Sequence, residues 1–160
     1  MGSITTIFGT RRRQRGNAIL EGGMVLVPLM ALIFAFIDHG LAIFLQNTFQ
    51  HAVREGVRYA VTYQRMAGMG QDASIQTVVQ RNAMGFLKNC NSCIKIRYYK
   101  PDTLAETTEN VPGNLVEVSV EGYQLSWMAP LMRKAGTLSI VARAADRMEG
   151  LPGGQSPPAR

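Results

Sequence analysis

From Gly22 to Ile37 the chain carries no charged residue and consists of Leu, Val, Ile, Met and Phe with small residues and Pro28 among them. Extended by Ala18, Ile19 and Leu20 on one side and by Leu41 to Leu45 on the other, the run predicts a helix able to cross a bilayer, which takes roughly 17–25 residues. Glu21 and Asp38 then fall near the two interfaces. A secretory signal peptide would have an apolar core of roughly 7–15 residues followed by a small-residue cleavage site. Gly40-Leu41-Ala42 is a poor match, and the helical pattern continues past it. In a soluble helix Pro28 would cost about 3 kcal/mol, whereas a membrane helix tolerates it as a kink. The pattern therefore predicts a retained single span.

Beyond the span, Leu45, Phe49, Ala52, Gly56, Tyr59, Ala60 and Tyr63 recur at spacings of three and four, one apolar face of a helix continuous from about Ala18 to Tyr63. Ala52, Gly56 and Ala60 form two overlapping small-xxx-small steps, which let helix backbones approach closely. Two readings stand side by side: this face merely packs on the chain's own globular domain, or it belongs to a continuous helix whose outer half packs on the domain and whose inner half packs on other subunits.

The pattern then changes. Asp72 or Ser74 can cap a helix running to Leu87, with Ile75, Val78, Val79, Asn82, Ala83 and Phe86 on one face. Ile94 to Lys100 is β-prone. Leu115 to Glu121 alternates Val116, Val118 and Val120 against Glu117, Ser119 and Glu121, and Thr137 to Ala145 alternates Leu138, Ile140 and Ala142 against Ser139 and Arg143. Pro101-Asp102 and Pro112-Gly113 supply turns. The predicted fold class is α+β, a long N-terminal membrane-spanning helix followed by a small antiparallel sheet packed on helix. Its expected divisions are a basic leader (1–16), the spanning and extended helix (17–63), an outer α+β domain (64–149) and a Pro/Gly-rich, disordered tail (150–160). Trp127 and Met128, before Pro130, read as core or as a contact with membrane or partner.

Charge refines this picture. Lys and Arg outnumber Asp and Glu 17 to 11, a formal +6. Four of the cations, Arg11, Arg12, Arg13 and Arg15, stand directly before the apolar run with no acid among residues 1–16, so removing that segment would lower +6 to +2. Such a cluster holds its end of the chain in the cytoplasm. Elsewhere no stripe of cations interleaves with aromatics, so nucleic acid is not an expected partner.

Candidate chemistry is sparse. Cys90 and Cys93 form CNSC between a helix and a strand, not at the start of a helix in a βαβ unit as a thioredoxin-like site requires. Outside the cytoplasm the pair suits a short disulfide; free thiols and a redox pair are the alternatives. Zinc needs more ligands than two cysteines, and His39 and His51 lie in the long helix. The neighbours Asp38 and His39 point to different helix faces. There is no nucleophile motif and no Gly-rich phosphate loop, so no enzyme activity, cofactor or metal is expected.

Glu21 is the remaining anomaly. An acid at the bilayer centre costs about 2.5–3.5 kcal/mol and less near an interface. It can snorkel toward Arg15 and water. Alternatively its partner is made by cleavage: a cut after Gly16 would create an amine on Asn17 with an intrinsic pKa of roughly 7.7–8. Glu21 would then be the fifth residue, placed to pair with that amine on an adjacent subunit.

The stretch RGNAILE at 15–21, with Gly at the cut and Glu at the fifth position after it, resembles a type IV prepilin processing site. Residues 16–60, GNAILEGGMVLVPLMALIFAFIDHGLAIFLQNTFQHAVREGVRYA, resemble the TadE-like minor pilins (pseudopilins) of the tight-adherence (Tad, or Flp) pilus system. Shared features are the basic leader, the G-x-A-x-x-E block, a Pro-containing span, an acid closing it (Asp38) and an A-x-R-E-G-x-R-Y-A-like run at Ala52 to Ala60. The resemblance implies a single-pass inner-membrane protein, N-terminus cytoplasmic and C-terminal domain periplasmic, or incorporated in an extracellular pilus for adhesion. It further implies a prepilin peptidase acting at Gly16, with other pilus subunits and the assembly platform as partners. The rivals are an uncleaved membrane anchor and an anchored C-x-x-C thiol oxidoreductase.

Overall fold

Forty-eight consecutive residues form one helix, α1 (Gln14–Val61), which at 1.5 Å per residue is about 72 Å long. The computed structural model describes residues 14–128, 136–151, 153 and 155–160. The helix is continuous through Pro28, whose missing N–H leaves the Met24 carbonyl without its usual intrahelical donor. It also runs straight through the expected boundary between residues 16 and 17. No residue from 18 to 37 is buried, whereas Leu45, Phe49, Ala52, Val53, Val57 and Ala60 are almost wholly enclosed. The change comes at Asp38. One half of the helix is bare, and the other is the spine of the domain.

That second half lies against α2 (Gln71–Asn82) and one face of a four-stranded antiparallel sheet. The strands are β1 (Ile94–Tyr99), β2 (Glu106–Thr107), β3 (Leu115–Ser126) and β4 (Thr137–Arg147), in the spatial order β2-β1-β3-β4. Ile94 pairs with Val120, Ile96 with Val118 and Tyr98 with Val116, so the inward rows line up across strands. The core joins them to Ile75, Val79, Ala83, Ile140 and Ala142. The Phe49 ring meets the Tyr123 ring edge-on at 4.9 Å. The α+β expectation is therefore met, but the outer domain does not hold its own core: α1 from Leu45 onward supplies one wall of it.

Three elements differ from the sequence reading for identifiable reasons. Helix α2 starts on Gly70 without a side-chain cap; Asp72 lies in its first turn, and Ser74 bonds back to the Gly70 carbonyl and accepts the Met66 N–H. It stops at Asn82 and not at Leu87, because Met84 and Gly85 both take positive φ, and Phe86 is left exposed. Strand β3 continues five residues past Glu121. A bulge between Val120 and Tyr123, with Gly122 at φ +78°, shifts the alternation by one, so Tyr123 and Leu125 keep the inward side that Val116, Val118 and Val120 held. Ser119, expected on the open face with Glu117, is fully buried beneath the charged side chains that cross it.

The third difference is at the C-terminal end, where a disordered tail was expected. Arg160 donates from Nε to Asp72 Oδ2 at 2.9 Å and from Nη1 to the Thr108 carbonyl at 2.7 Å, and its guanidinium lies 4.7 Å from the Tyr98 ring centre. The Gln71 N–H donates to the Ala159 carbonyl and the Asn110 amide to that of Pro158. A Cβ on Gly70 would collide with the Arg160 backbone, so the absence of a side chain there admits this segment.

At Gly56 α1 packs closely on α2. A Cβ there would stand 2.6 Å from Val79 Cγ2 on α2, with Val118 and Ile75 also in reach. Gly56→Val should destabilise the outer domain by about 1–3 kcal/mol through overpacking, read as a lowered urea midpoint for the detergent-solubilised chain. An unchanged midpoint would contradict the packing described.

Candidate functional site

The features that could do work lie along α1 and at its junction with the sheet. Arg11, Arg12 and Arg13 lie outside the described residues; Arg15, Gly16 and Asn17 belong to α1 by backbone, with the side chains of Arg15 and Asn17 outside the described residues. Glu21 is exposed on the bare half of the helix, and among the described residues nothing pairs with it. Around it Ile19, Leu20, Met24 and Val25 are each more than 60% exposed, an apolar surface for which water is the wrong solvent.

Ala52, Gly56 and Ala60 do not share that exposed surface. All three are buried against the chain's own outer domain, with Gly56 under Val79. The outer half of α1 thus packs on the chain's own domain, the placement common to both readings. Val53, Val57 and Val61 are buried beside them. They escaped the pattern because a helix wedged between α2 and a sheet buries a stripe wider than one row of three-and-four spacings.

Where the bare half of α1 ends, the geometry becomes specific. Asp38 is only 2% exposed, and both its carboxylate oxygens accept the Met128 backbone N–H, at 2.9 and 3.1 Å. One residue on, the His39 ring donates from Nδ1 to the Ala35 carbonyl at 2.8 Å and lies 5.9 Å from the Trp127 ring. Asp38 and His39 do not make a dyad; together they hold the end of β3. Trp127 is half-buried at this junction and Met128 is exposed, so neither belongs to the central core. No local pattern could have found the contact, since ninety residues separate its partners.

Further along its packed half, α1 screens the edge of the sheet. Gln46 and Gln50 donate their side-chain amides to the Val141 and Arg143 carbonyls of β4, at 2.8 and 2.9 Å. Edge carbonyls of this kind would otherwise invite another strand. The helix ends where Gln71, fully buried, donates to the Ala60 carbonyl at 3.1 Å and accepts from Asn110. An open groove of about 750 Å³ between α1 and β4 is lined by Arg54, Arg58 and Arg143 together with Asp146 and Glu149, a mixed set selective for neither sign of charge.

The opposite face of the sheet carries an ion-pair cluster. Arg97 makes a two-pronged contact with Glu121 at 3.0 and 3.1 Å and reaches Glu117 at 3.2 Å, while Arg143 meets Glu121 at 3.1 Å. The hydrogen bonds from Arg97 hold the Glu121 carboxyl down at about 2. Cys90 and Cys93 stand at disulfide distance, with Cα atoms 5.2 Å apart, around a 3₁₀ turn (Asn91–Cys93) leading into β1. Cys93 is 4% exposed, and no α-helix begins at the motif, so it lacks the accessible, helix-start thiol of a redox site. Among the described residues no three His, Cys, Asp or Glu side chains gather as metal ligands.

Two outcomes follow. Because the folded Glu121 value lies below the ordinary 4.5, its contribution is present above 4.5 and lost as the pH falls through about 2. Glu121→Gln should flatten the loss of stability across that window in acid-unfolding curves; an unaltered slope would show that the cluster is not coupled to folding. Asp38→Ala should lower stability by about 1.5–3 kcal/mol, the range for hydrogen bonds to a charged group, in detergent melts. A variant as stable as the parent would mean that the Met128 tether contributes nothing.

A family model described as TadE-like protein matches residues 16–58, a little over a quarter of the chain, consistent with a TadE-like protein of the Tad pilus. The match covers the bare helix, Asp38 and the run through Gly56. No curated protein and no solved structure matches the chain. One exposed apolar helix together with this match fits a membrane-anchored, pilus-associated protein.

Proposed function

We propose that the protein is a minor pilin or pseudopilin that helps to initiate or build a Tad pilus for adhesion. The carrying observation is that the TadE-like match begins at Gly16 and runs along a helix whose first half is bare and whose second half is committed to its own domain. In this reading a prepilin peptidase cuts after Gly16. The basic leader stays in the cytoplasm, the helix spans the inner membrane, and the α+β domain lies in the periplasm until assembly. The disulfide between Cys90 and Cys93 clamps the turn into β1 in that oxidising compartment.

The mechanism resides in the bare half of α1. An apolar helix surface already suited to lipid can exchange lipid for neighbouring helices with little cost, so assembly needs something to fix the register. The Asn17 amine and Glu21 supply it: paired between adjacent subunits, each lowers the cost of holding the other in the membrane. Pro28 provides a place for the helix to bend, and the outer domain carries contacts to other pilus subunits and the assembly platform.

The first test is the intact mass and N-terminal residue of the protein taken from its native membranes. A chain beginning at Asn17 supports processing and the pilin reading; a chain retaining Arg11 to Gly16 leaves an uncleaved anchor. Glu21→Ala should still insert and still be cut but fail to enter assembled pili, scored by immunoblot of sheared filaments. Normal incorporation would remove Glu21 from the mechanism.

A further inference from the structure

We propose that the outer domain rests directly on the lipid surface, with the Trp127 ring in the headgroup region of the membrane that α1 crosses. The inference depends on α1 being a membrane span, and adds where the domain sits relative to that membrane.

The argument is one of length. Residues 18–37, none of them buried, make twenty helical positions, which at 1.5 Å each span about 30 Å, the thickness of the hydrocarbon core. In the full, uncleaved chain the arginines at 11–15 stand just before this stretch, so the helix cannot slide toward the outer side without dragging them into the hydrocarbon. The next residue, Asp38, is already enclosed by the domain, and the backbone of Met128 is bonded to it. No stalk separates span from domain. The end of β3 therefore stands at the level where hydrocarbon gives way to headgroups.

The chemistry at that level agrees. Trp127 and the 47%-exposed Met128 present an aromatic and an apolar side chain at the membrane-proximal end of a strand whose opposite end joins the core. Trp is the residue that partitions to this boundary, because its ring is apolar and its indole N–H polar. Asp38 would be costly so near the hydrocarbon as a bare carboxylate, yet it is held by the Met128 N–H and screened from lipid by the same contact.

Trp127 is the sole tryptophan, so intrinsic fluorescence reports on this position alone. The full chain is reconstituted in phosphatidylcholine–phosphatidylglycerol vesicles containing lipid brominated either near the headgroup end or near the methyl end of its acyl chains. Flotation and resistance to carbonate extraction are scored on the same sample. The expected result is a floating, carbonate-resistant protein whose emission is lost more strongly to shallow than to deep bromine and is little affected by aqueous iodide. A protein that floats and resists carbonate but shows full iodide quenching and none by bromolipid overturns the proposal, with the domain standing clear of the surface. Protection from both quenchers also overturns it, since protein then covers the ring. Failure to float or to resist carbonate would instead overturn the membrane-span reading on which the proposal rests.

Discussion

The packing of α1 between α2 and the sheet is the constraint on which everything else depends. Gly56 lets the helix come within van der Waals reach of Val79, and Phe49 against Tyr123 fixes its rotation over β3. Because the same helix continues without a break to Gln14, the rotation set in the core also decides which way the side chains of the bare half face. A helix that ended at the membrane and restarted in the domain would have left those two choices independent.

A second constraint is polar. The domain buries Gln71, Ser74, Asn110, Asn114 and Ser119 alongside its apolar residues. Gln71 closes the C-terminal end of α1 at the Ala60 carbonyl, Asn110 closes Gln71, and Asn110 also holds the Pro158 carbonyl. Each buried polar group thus finds a partner, which is the condition for burying it at all. Among the described residues the Tyr63 hydroxyl is the exception, enclosed without a hydrogen-bond partner and with its ionisation pushed up by burial. It belongs to the residue whose φ of 54° turns the chain out of α1.

What the sequence disclosed, and what it hid, divides along the range of the interactions. The long helix, the alternating strands around Val116–Val120 and Leu138–Ala142, and the C-x-x-C turn were legible because each depends on neighbours a few positions away. The early stop of α2 was hidden because Met84, a residue with no special liking for positive φ, takes that conformation beside Gly85. The extension of β3 was hidden behind Gly122, which reads as an ending and acts as a bulge. The Asp38–Met128 tether and the seating of Arg160 on Asp72 and Tyr98 join segments far apart in the chain, and neither leaves a local signature. Asp38 could be read as an acid closing the span, but the donor that makes its burial tolerable could not.

The direct junction at Asp38 has a mechanical meaning. A domain on a flexible tether would be indifferent to the angle at which its anchor crosses the bilayer. Here anchor and core are one rod, and helices tilt to match their apolar length to the local thickness of the hydrocarbon. With α1 as the anchor, thickening or thinning of the membrane would swing the whole sheet with it.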